Sequence, residues 1–532
     1  MRLFSVAISL LGCAAGLLGA PVITGVTNAA SNLPPGLPNS GIAQGAIMAI
    51  YGSGLGPPTL QQTQAFPFPT TQGLAGTTVN VTVGGVTTVC VMYYTSAAQV
   101  AAVLPSATPV GNGTLTVSYQ GQSGSIAIQV AAAGFGAIAL NGSGTGPAVV
   151  TDAYYTPLTF VNPAHPGQTV ILWGSGLGPV TGNETEPPVE VDLGTGVQVF
   201  VGGQPANVVY GGRSGDPGLD QINFIIPATA TTACRVSIAV LEKGIVGNIT
   251  TMAIAPAGQT TCDDGSGLLT SANLRKTVAT GTLNAGTIFL YRFGSNADTI
   301  TGGFGSYPLN TLIRSWGGDP SPSSGSCTAY ELLGTETPSD PIVPPTLDAG
   351  PQLVLTGPGG TRTVPTDSNG LFYAALGSAG SFIQPGAFTV TNGSGGANVA
   401  GFTWNLMVPA PVTFTNLPNS INRAQDLTLN WTNSSAFQGV SIFGISGVPL
   451  SSGQTAYVEF FCTAAASASQ FTIPSEILKL IPANGYGYPG QHGISMQIAG
   501  VSSSSYTVAG SPGIDAGFFN LASYKATVVA VQ

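Results

Sequence analysis

Two glycine-rich stretches are the first residues whose spacing suggests chemistry: "YGSGLGP" at 51–57 and "WGSGLGP" at 173–179. Glycine loops bind phosphates when a helix follows, because the first helical turn supplies free amides and a positive dipole end. Here each stretch ends in proline, at Pro57 and Pro179, and no helical apolar period follows. The third glycine also comes one residue too early for the dinucleotide motif G-x-G-x-x-G. We therefore predict that each loop ends a strand and binds no nucleotide.

Residues for nucleophilic and acid–base catalysis are few. The chain has two histidines, His165 and His492, and no G-x-S-x-G motif. A catalytic serine triad would have to use one of these two histidines and is not expected. One group of carboxylates lies close together along the chain: Glu184, Glu186, Glu190 and Asp192. A glycosidase needs two carboxylates held on rigid elements, whereas this group lies on a proline-containing stretch. We interpret the group as a solvated loop and assign no catalytic residue.

A calcium site is the next kind of chemistry to consider. The stretch "TDSNGLF" at 366–372 resembles the start of a calcium loop and makes Asp367 and Asn369 candidate metal ligands, although the closing Glu is absent. The same letters are typical of a tight turn. No two cysteines have the C-x-x-C spacing of a zinc site. No cofactor is predicted.

Aromatic rings on a glycine-rich loop are the candidate ligand contacts. The stretch "GYGYPGQHG" at 485–493 carries Tyr486 and Tyr488 close to His492. Rings exposed on such a loop stack on sugars or peptides, and the alternative is packing between domains. These three residues are the predicted ligand-binding residues.

The glycine stretches belong to a longer repeat that positions them. Gly174 follows Gly52 at the same distance along the chain as Pro227 follows Pro105, and matches at one spacing indicate a duplicated module. Within the first copy, "TVNVTVGG" alternates apolar and polar residues and ends in two glycines. This pattern predicts a half-buried strand followed by a tight turn.

The stretches "ITGVTNAASN" (23–32) and "QINFIIP" (221–227), together with the glycine turns, carry a resemblance to a known family. They resemble the tandem TIG/IPT-type immunoglobulin-like modules of secreted acidobacterial (Solibacter-type) proteins. The resemblance covers about residues 21–256. It implies fold and export but no activity, since the family is largely uncharacterised. The first copy departs from the pattern, with "QVAAVLP" in place of the second motif.

The fold class predicted for the whole chain is all-β, with four consecutive immunoglobulin-like β-sandwich domains after a signal peptide. Short helices are predicted at 309–316 and at 475–481, the latter with Ser475 as its N-cap. The predicted segments are a signal peptide at 1–20, immunoglobulin-like modules at 21–133 and 134–256, and β-sandwich domains at 265–409 and 410–532.

Charge is scarce in this chain. Only 6% of the 532 residues are charged, and the net charge is −9 with 12 lysines and arginines in no basic cluster. Nucleic-acid binding needs such a cluster and is therefore excluded. Edge strands without lysine are poorly protected against pairing, so self-association is a further prediction.

The N-terminal sequence predicts export. "MRLFSVAISLLGCAAGLLGA" has an arginine, an apolar stretch and a small residue at Ala20, as in a secretory signal peptide. The alternative is a lipoprotein acylated at Cys13. No transmembrane segment is predicted beyond this signal, so the expected location is outside the cell or on its surface.

Disulfides persist in such an oxidising location. Five cysteines are candidates for them: Cys90, Cys234, Cys262, Cys327 and Cys462. The sequence leaves their pairing open, and because the number is odd, at least one is unpaired or forms an intermolecular bond.

These features predict a non-enzymatic β-sandwich protein with an adhesion, structural or ligand-binding role. The expected partner is a polysaccharide or a cell-surface protein. Two alternatives stay open: an extracellular hydrolase with its site in residues 265–532, and an accessory glycan-binding protein.

Overall fold

The computed structural model describes ten stretches of the chain: 19–187, 191–265, 267–293, 297–315, 321–334, 340–432, 436–465, 467–487, 491–506 and 513–531. Most of the predicted signal peptide, including Cys13, lies outside these residues. In the described part, strands dominate and three short helices occur: α1 (Ser271–Thr280), α2 (Leu309–Leu312) and α3 (Ser475–Leu478). The all-β class is confirmed. None of the described helices is both long and apolar enough to cross a membrane.

Module 1 (residues 21–133) is a sandwich of two five-stranded sheets. Its strands are β1 (Val22–Asn28), β2 (Ile42–Ala43), β3 (Ile47–Ser53), β4 (Gln61–Gln62), β5 (Thr77–Val83), β6 (Val86–Val89), β7 (Val91–Thr95), β8 (Gln99–Val103), β9 (Gly111–Tyr119) and β10 (Gln122–Ala131). The sheet orders are β1-β3-β8-β7-β4 and β2-β10-β9-β5-β6, and β2 runs parallel to β10. This division of strands between two sheets is that of an immunoglobulin-like sandwich. Val79, Val81 and Val83 on β5 are buried, as their alternation predicts.

Module 2 (residues 134–256) repeats this strand order. Its strands are β11 (Gly136–Ala137), β12 (Val150–Thr151), β13 (Thr169–Ser175), β14 (Gln198–Val201), β15 (Gln204–Arg213), β16 (Asp220–Ile225), β17 (Ala233–Glu242), β18 (Ile245–Val246) and β19 (Thr250–Ile254). The order is β11-β13-β16-β15-β14-β17-β18. Strand β15 joins the two sheets, because it pairs with β14 over residues 204–206 and with β16 from Asn207 onward, with a bulge between Val208 and Tyr210. In module 1 the successive strands β6 and β7 take this place.

The second half of the chain is built around one long sheet. Its strands are β20 (Thr282–Phe293), β21 (Ala297–Pro308), β22 (Cys327–Leu333), β23 (Gln352–Gly357), β24 (Gly360–Pro365), β25 (Phe372–Ser378), β26 (Gly386–Thr391), β27 (Thr403–Val408), β28 (Thr413–Phe414), β29 (Ser420–Ile421), β30 (Leu427–Thr432), β31 (Gly439–Pro449), β32 (Thr455–Ala465), β33 (Gln470–Ile473), β34 (Tyr486–Gly487), β35 (Gln491–His492), β36 (Ile494–Tyr506) and β37 (Ala516–Val531). The long sheet has the order β22-β32-β31-β36-β37-β20-β21-β25. Two smaller sheets, β24-β23-β26-β27 and β28-β30-β33, complete this half.

The long sheet draws on both sides of the predicted boundary between residues 409 and 410. Strand β37 pairs with β20 in parallel, and β32 pairs with β22. One cluster of buried apolar side chains also includes Leu353, Trp431 and Ile442, from the two small sheets and the long sheet. The boundary thus separates the two small sheets but does not coincide with a division of the long sheet or of the core.

Four of the five candidate cysteines form disulfides. Cys327 is bonded to Cys462, directly opposite it on β22 and β32 of the long sheet. Cys234 on β17 is bonded to Cys262 in the segment that follows module 2. Cys90 is free and buried in the core of module 1, where burial raises the pKa of its thiol.

Candidate functional site

The second glycine-rich loop binds a carboxylate of the protein itself. Asp220 Oδ2 accepts hydrogen bonds from the amides of Gly176 (2.7 Å) and Leu177 (2.8 Å). In the first loop the amide of Leu55 donates to the carbonyl of Ala97 (3.1 Å). Each loop follows directly from a strand, β3 or β13, and the next described element after it is again a strand, β4 or β14. The loops are structural corners, as the sequence predicts.

Asp220 also pairs with Arg213, and this pair lies at the junction of the two modules. The side chains of Arg213 and Asp220 are 2% and 0% exposed. Arg213 Nη2 donates to the carbonyl of Gly178 (2.9 Å) in module 2 and to that of Gly45 (3.0 Å) in module 1. Gly45 has φ +74°, and a Cβ there would collide with the guanidinium, so glycine is required at this contact. The ion pair therefore ties the modules together.

The predicted solvated carboxylate group is only partly solvated. Glu184 accepts hydrogen bonds from the hydroxyl (2.7 Å) and the amide (2.8 Å) of Ser106 in module 1. Asp192 Oδ1 accepts from the amide of Gly194 and closes a turn. Glu186 is exposed, and Glu190 lies outside the described residues. The interpretation as a loop holds for Glu186 and Asp192, whereas Glu184 is a contact between modules.

The hairpin of β34 and β35 brings together two of the three predicted ligand-binding residues. Tyr486 lies opposite His492, and their ring centroids are 4.2 Å apart. Tyr486 is 36% exposed. Tyr488 lies outside the described residues. The other histidine, His165, has its Nδ1 2.9 Å from the carbonyl oxygen of Ala255.

The candidate calcium ligands form a turn. Asp367 Oδ1 accepts hydrogen bonds from the amides of Leu371 and Asn369, both at 2.8 Å. These bonds, that of Leu371 foremost, lower the pKa of Asp367. Among the described residues no group of three or more His, Cys, Asp or Glu is placed to hold a metal ion. The pair stays a prediction.

A cleft of about 330 Å³ lies between module 2 and the second half. Module 2 contributes β14, β17 and the residue before β19, with Phe200, Ser237 and Ile249 among the lining residues. The other wall comes from β33, from α3 and from the residues just before β22 and β30, with the lining residues Ser326, Asp426, Phe471, Thr472 and Glu476. The volume is at the lower end of the range for small-molecule sites.

Glu476 and Asp426 are the titratable groups of this cleft. Glu476 lies in α3 and is 7% exposed. Burial raises the pKa of its carboxyl, and the charge of Asp426 raises it further, while Lys479 acts in the opposite direction. Asp426 Oδ1 accepts a hydrogen bond from the amide of Ser475 (2.8 Å) and so caps the start of α3. The predicted N-cap, Ser475, is instead the first helical residue.

Sequence reasoning missed this cleft. Glu476 lies inside a predicted helix and Asp426 inside a loop, and neither position has a motif. The only signal is that "IPSEILKLIP" is apolar on both sides of the glutamate, which indicates a carboxylate at the edge of a core.

Two further glutamates are buried and have raised pKa values. Glu331 on β22 is 8% exposed, and burial raises the pKa of its carboxyl to about 7. Asn39 Nδ2 of module 1 lies 3.5 Å from its Oε1, and Oε2 has no hydrogen-bond partner among the described residues. Burial likewise raises the pKa of Glu242 on β17 to about 7, against the opposing charge of Lys243.

Glu331→Gln is expected to stabilise the protein at alkaline pH. The folded state binds the proton of Glu331 more tightly than the unfolded chain, whose pKa is near 4.5. The free energy of unfolding therefore falls as pH rises from about 4.5 to about 7 and is constant above that. Glutamine imitates the protonated acid, so the variant should gain about 3 kcal/mol at pH 8 and nothing at pH 4. Denaturant unfolding at pH 4 and at pH 8 measures this gain.

Glu186→Gln changes an exposed residue and is the control, so it should leave the free energy of unfolding unchanged at both pH values. An equal gain by Glu331→Gln at pH 4 and pH 8 would refute the pKa assignment.

Comparison with known proteins adds little to this geometry. No family model matches the chain, and no curated protein matches it. Solved structures similar to it include immunoglobulin domains 1–4 of Sidekick-1 (10% identity, 96% of this chain and 99% of that chain, TM-score 0.12). They also include SGBP-B from a complex xyloglucan utilization locus in Bacteroides uniformis (12%, 84% and 100%, TM-score 0.17). Domains 5–6 of the S-layer protein SbsC are a third (14%, 44% and 99%, TM-score 0.16). The immunoglobulin-like organisation rests on the strand orders given above.

Proposed function

We propose that this chain is a secreted or cell-surface, non-enzymatic β-sandwich protein that binds an extracellular ligand in an adhesion or structural role. The observation that carries the proposal is the way its parts are joined. Its immunoglobulin-like modules are held together by buried polar contacts, and a ligand-sized cleft lies where module 2 meets the second half. Polysaccharide or a cell-surface protein is the partner class, and self-association through edge strands belongs to the same proposal.

The junctions support a scaffold of fixed geometry. Between modules 1 and 2, Tyr93 Oη donates to the carbonyl of Pro217 (2.6 Å), beside the Arg213 contact to Gly45. Between module 2 and the second half, the amide of Ser323 donates to the carbonyl of Arg235 (3.1 Å). A protein that bears load or presents a binding surface benefits from such contacts, because relative motion of its domains would change the positions of the residues on that surface.

Two disulfides support export, since such bonds persist in oxidising compartments. The signal-peptide sequence and the resemblance to TIG/IPT-type modules of secreted acidobacterial proteins favour the same location.

Co-sedimentation tests the proposal. The full chain is mixed with insoluble cell-wall polysaccharide and, separately, analysed alone by sedimentation velocity. We expect the protein to pellet with the polymer or to form defined assemblies. Tyr486→Ala should weaken pelleting if the β34–β35 hairpin is the glycan contact, whereas Tyr154→Ala, an exposed tyrosine of module 2, serves as control. A chain that neither pellets nor assembles would contradict the proposal.

A hydrolase is the second candidate, favoured by one observation. Glu476 and Asp426 line the same cleft, and a raised pKa on one of two carboxyls is what an acid catalyst requires. Turnover of polysaccharide, ester or peptide substrates by the full chain, lost in Glu476→Gln, would establish the hydrolase. The non-enzymatic proposal expects no turnover by either protein.

A further inference from the structure

The charges that line the cleft between module 2 and the second half are all negative. Asp426 and Glu476 are its charged lining residues, and no lysine or arginine lines it among the described residues. Lys479, one helical turn after Glu476, influences its carboxyl but is not part of the lining. A ligand in this cleft therefore meets two neighbouring carboxyl groups on one wall and no lysine or arginine in the described lining.

Glu476 is buried and forms no ion pair within the described residues, and the nearby charge of Lys479 offsets the effect of burial on its pKa only in part. It is 7% exposed and lines the cleft. Its own backbone amide lies within reach of the carboxylate, and no other described residue donates a hydrogen bond to it. Asp426 is exposed at the rim, where its Oδ1 caps α3 and its Oδ2 accepts no hydrogen bond from the described residues. A buried carboxylate that lacks donors costs folding free energy, which a cationic donor in the cleft would offset.

The remaining lining fits a cation that also carries hydroxyl groups. Phe200 and Phe471 contribute aromatic rings from opposite walls, and the face of an aromatic ring attracts organic cations. Ser237, Ser326 and Thr472 add hydroxyl groups that donate and accept hydrogen bonds. A volume of about 330 Å³ accommodates a single sugar ring with its substituents.

We propose that this cleft binds a small polyhydroxylated primary amine, of the size and chemistry of an amino sugar, with its ammonium group between Glu476 and Asp426. The inference rests on the ligand-binding role proposed above and names the ligand class of its cleft. Glu476 is the main ionic contact, Asp426 supplies the second carboxylate, and the two phenylalanines cover the ring.

Calorimetric titration of the full chain with glucosamine, glucose and N-acetylglucosamine tests this assignment. The three sugars share a ring, and only glucosamine carries a cation. We expect saturable binding of glucosamine and at least tenfold weaker binding of both neutral sugars. Equal affinity for glucose and glucosamine, or no binding of glucosamine, would overturn the proposal without reference to any variant.

The Glu476→Gln variant tests the role of this carboxylate in binding glucosamine. The amide keeps the shape of the side chain but loses the charge, so glucosamine affinity should fall about 10- to 100-fold. Glu186→Gln makes the same charge change on an exposed loop and should leave the affinity unchanged. Circular dichroism of both variants verifies that they fold. Unchanged affinity in folded Glu476→Gln would overturn the assignment of the residue. If the chain still pellets with polysaccharide while glucosamine does not bind, this inference fails and the proposed function stands.

Discussion

Arg213→Met is expected to destabilise module 2 by about 3–5 kcal/mol, because it leaves a buried carboxylate without its counter-ion. Asp220 is fully buried, and its remaining partners are the amides of Gly176 and Leu177. The carbonyls of Gly178 and Gly45 lose their donor as well. Methionine replaces the aliphatic part of the side chain without its guanidinium group, so most of the effect arises from the lost ion pair and hydrogen bonds. Denaturant unfolding monitored at neutral pH measures it.

Two comparisons separate this loss from a general effect of removing arginine. Arg275→Met changes an exposed residue of α1 and should cost less than about 0.5 kcal/mol. Adding Asp220→Asn to Arg213→Met removes the uncompensated charge while it keeps an acceptor for the two amides, so part of the lost stability should return. Limited proteolysis should also cut Arg213→Met faster between modules 1 and 2. An Arg213→Met variant as stable as wild type would refute the role of the pair.

Removing the Cys327–Cys462 disulfide is the second large effect. Its partners are 135 residues apart in sequence, and closing a loop of this length restricts the unfolded chain strongly. The chain-entropy model gives about 5 kcal/mol for Cys327→Ala with Cys462→Ala, against about 3.5 kcal/mol for a loop of the size closed by Cys234 and Cys262. The bond also joins β22 to β32 at the edge of the long sheet, so the transition that reports on the second half should shift.

The Cys234→Ala, Cys262→Ala variant is the matched control for that experiment. Its partners are 28 residues apart, so the smaller cost is expected. Both variants and the wild type are compared by denaturant unfolding under non-reducing conditions. The loop-length argument would be contradicted for this protein if the two double variants were equally destabilised, or if loss of the Cys327–Cys462 bond had no effect.

Local pattern was sufficient to predict β5 and the corners that the glycine-rich loops form in the two modules. The alternation on β5 and the proline after each glycine loop act within a few residues, so they can be read from the sequence. The repeat further indicates that both modules share one strand order. A local signal was also overlooked at α1, where Thr270 accepts a hydrogen bond from the amide of Asn273 and Gly281, at φ +81°, ends the helix.

Pairing between distant segments could not be read in the same way. The parallel pairing of β37 with β20 leaves no periodic trace in either strand, and a strand buried in the long sheet resembles one in a separate sandwich. The cleft forms only where segments of module 2 meet three distant segments of the second half, at 325–327, at Asp426 and at 471–477. The Arg213–Asp220 pair could have been predicted from the repeat. The first copy of the repeat has Ala98 where the second has Asp220, and a charge gained in a strand that begins in the core calls for a counter-ion.

Binding without chemical change is the central claim, and one measurement tests it directly. The full chain is incubated with insoluble cell-wall polysaccharide, the pellet is collected, and both the bound protein and the chain length of the polymer are determined. We predict that the protein is found in the pellet and that the polymer keeps its length, with no new reducing ends in the supernatant. Soluble fragments that disappear when Glu476→Gln replaces the wild type would contradict the account and identify the cleft as the active site of a hydrolase.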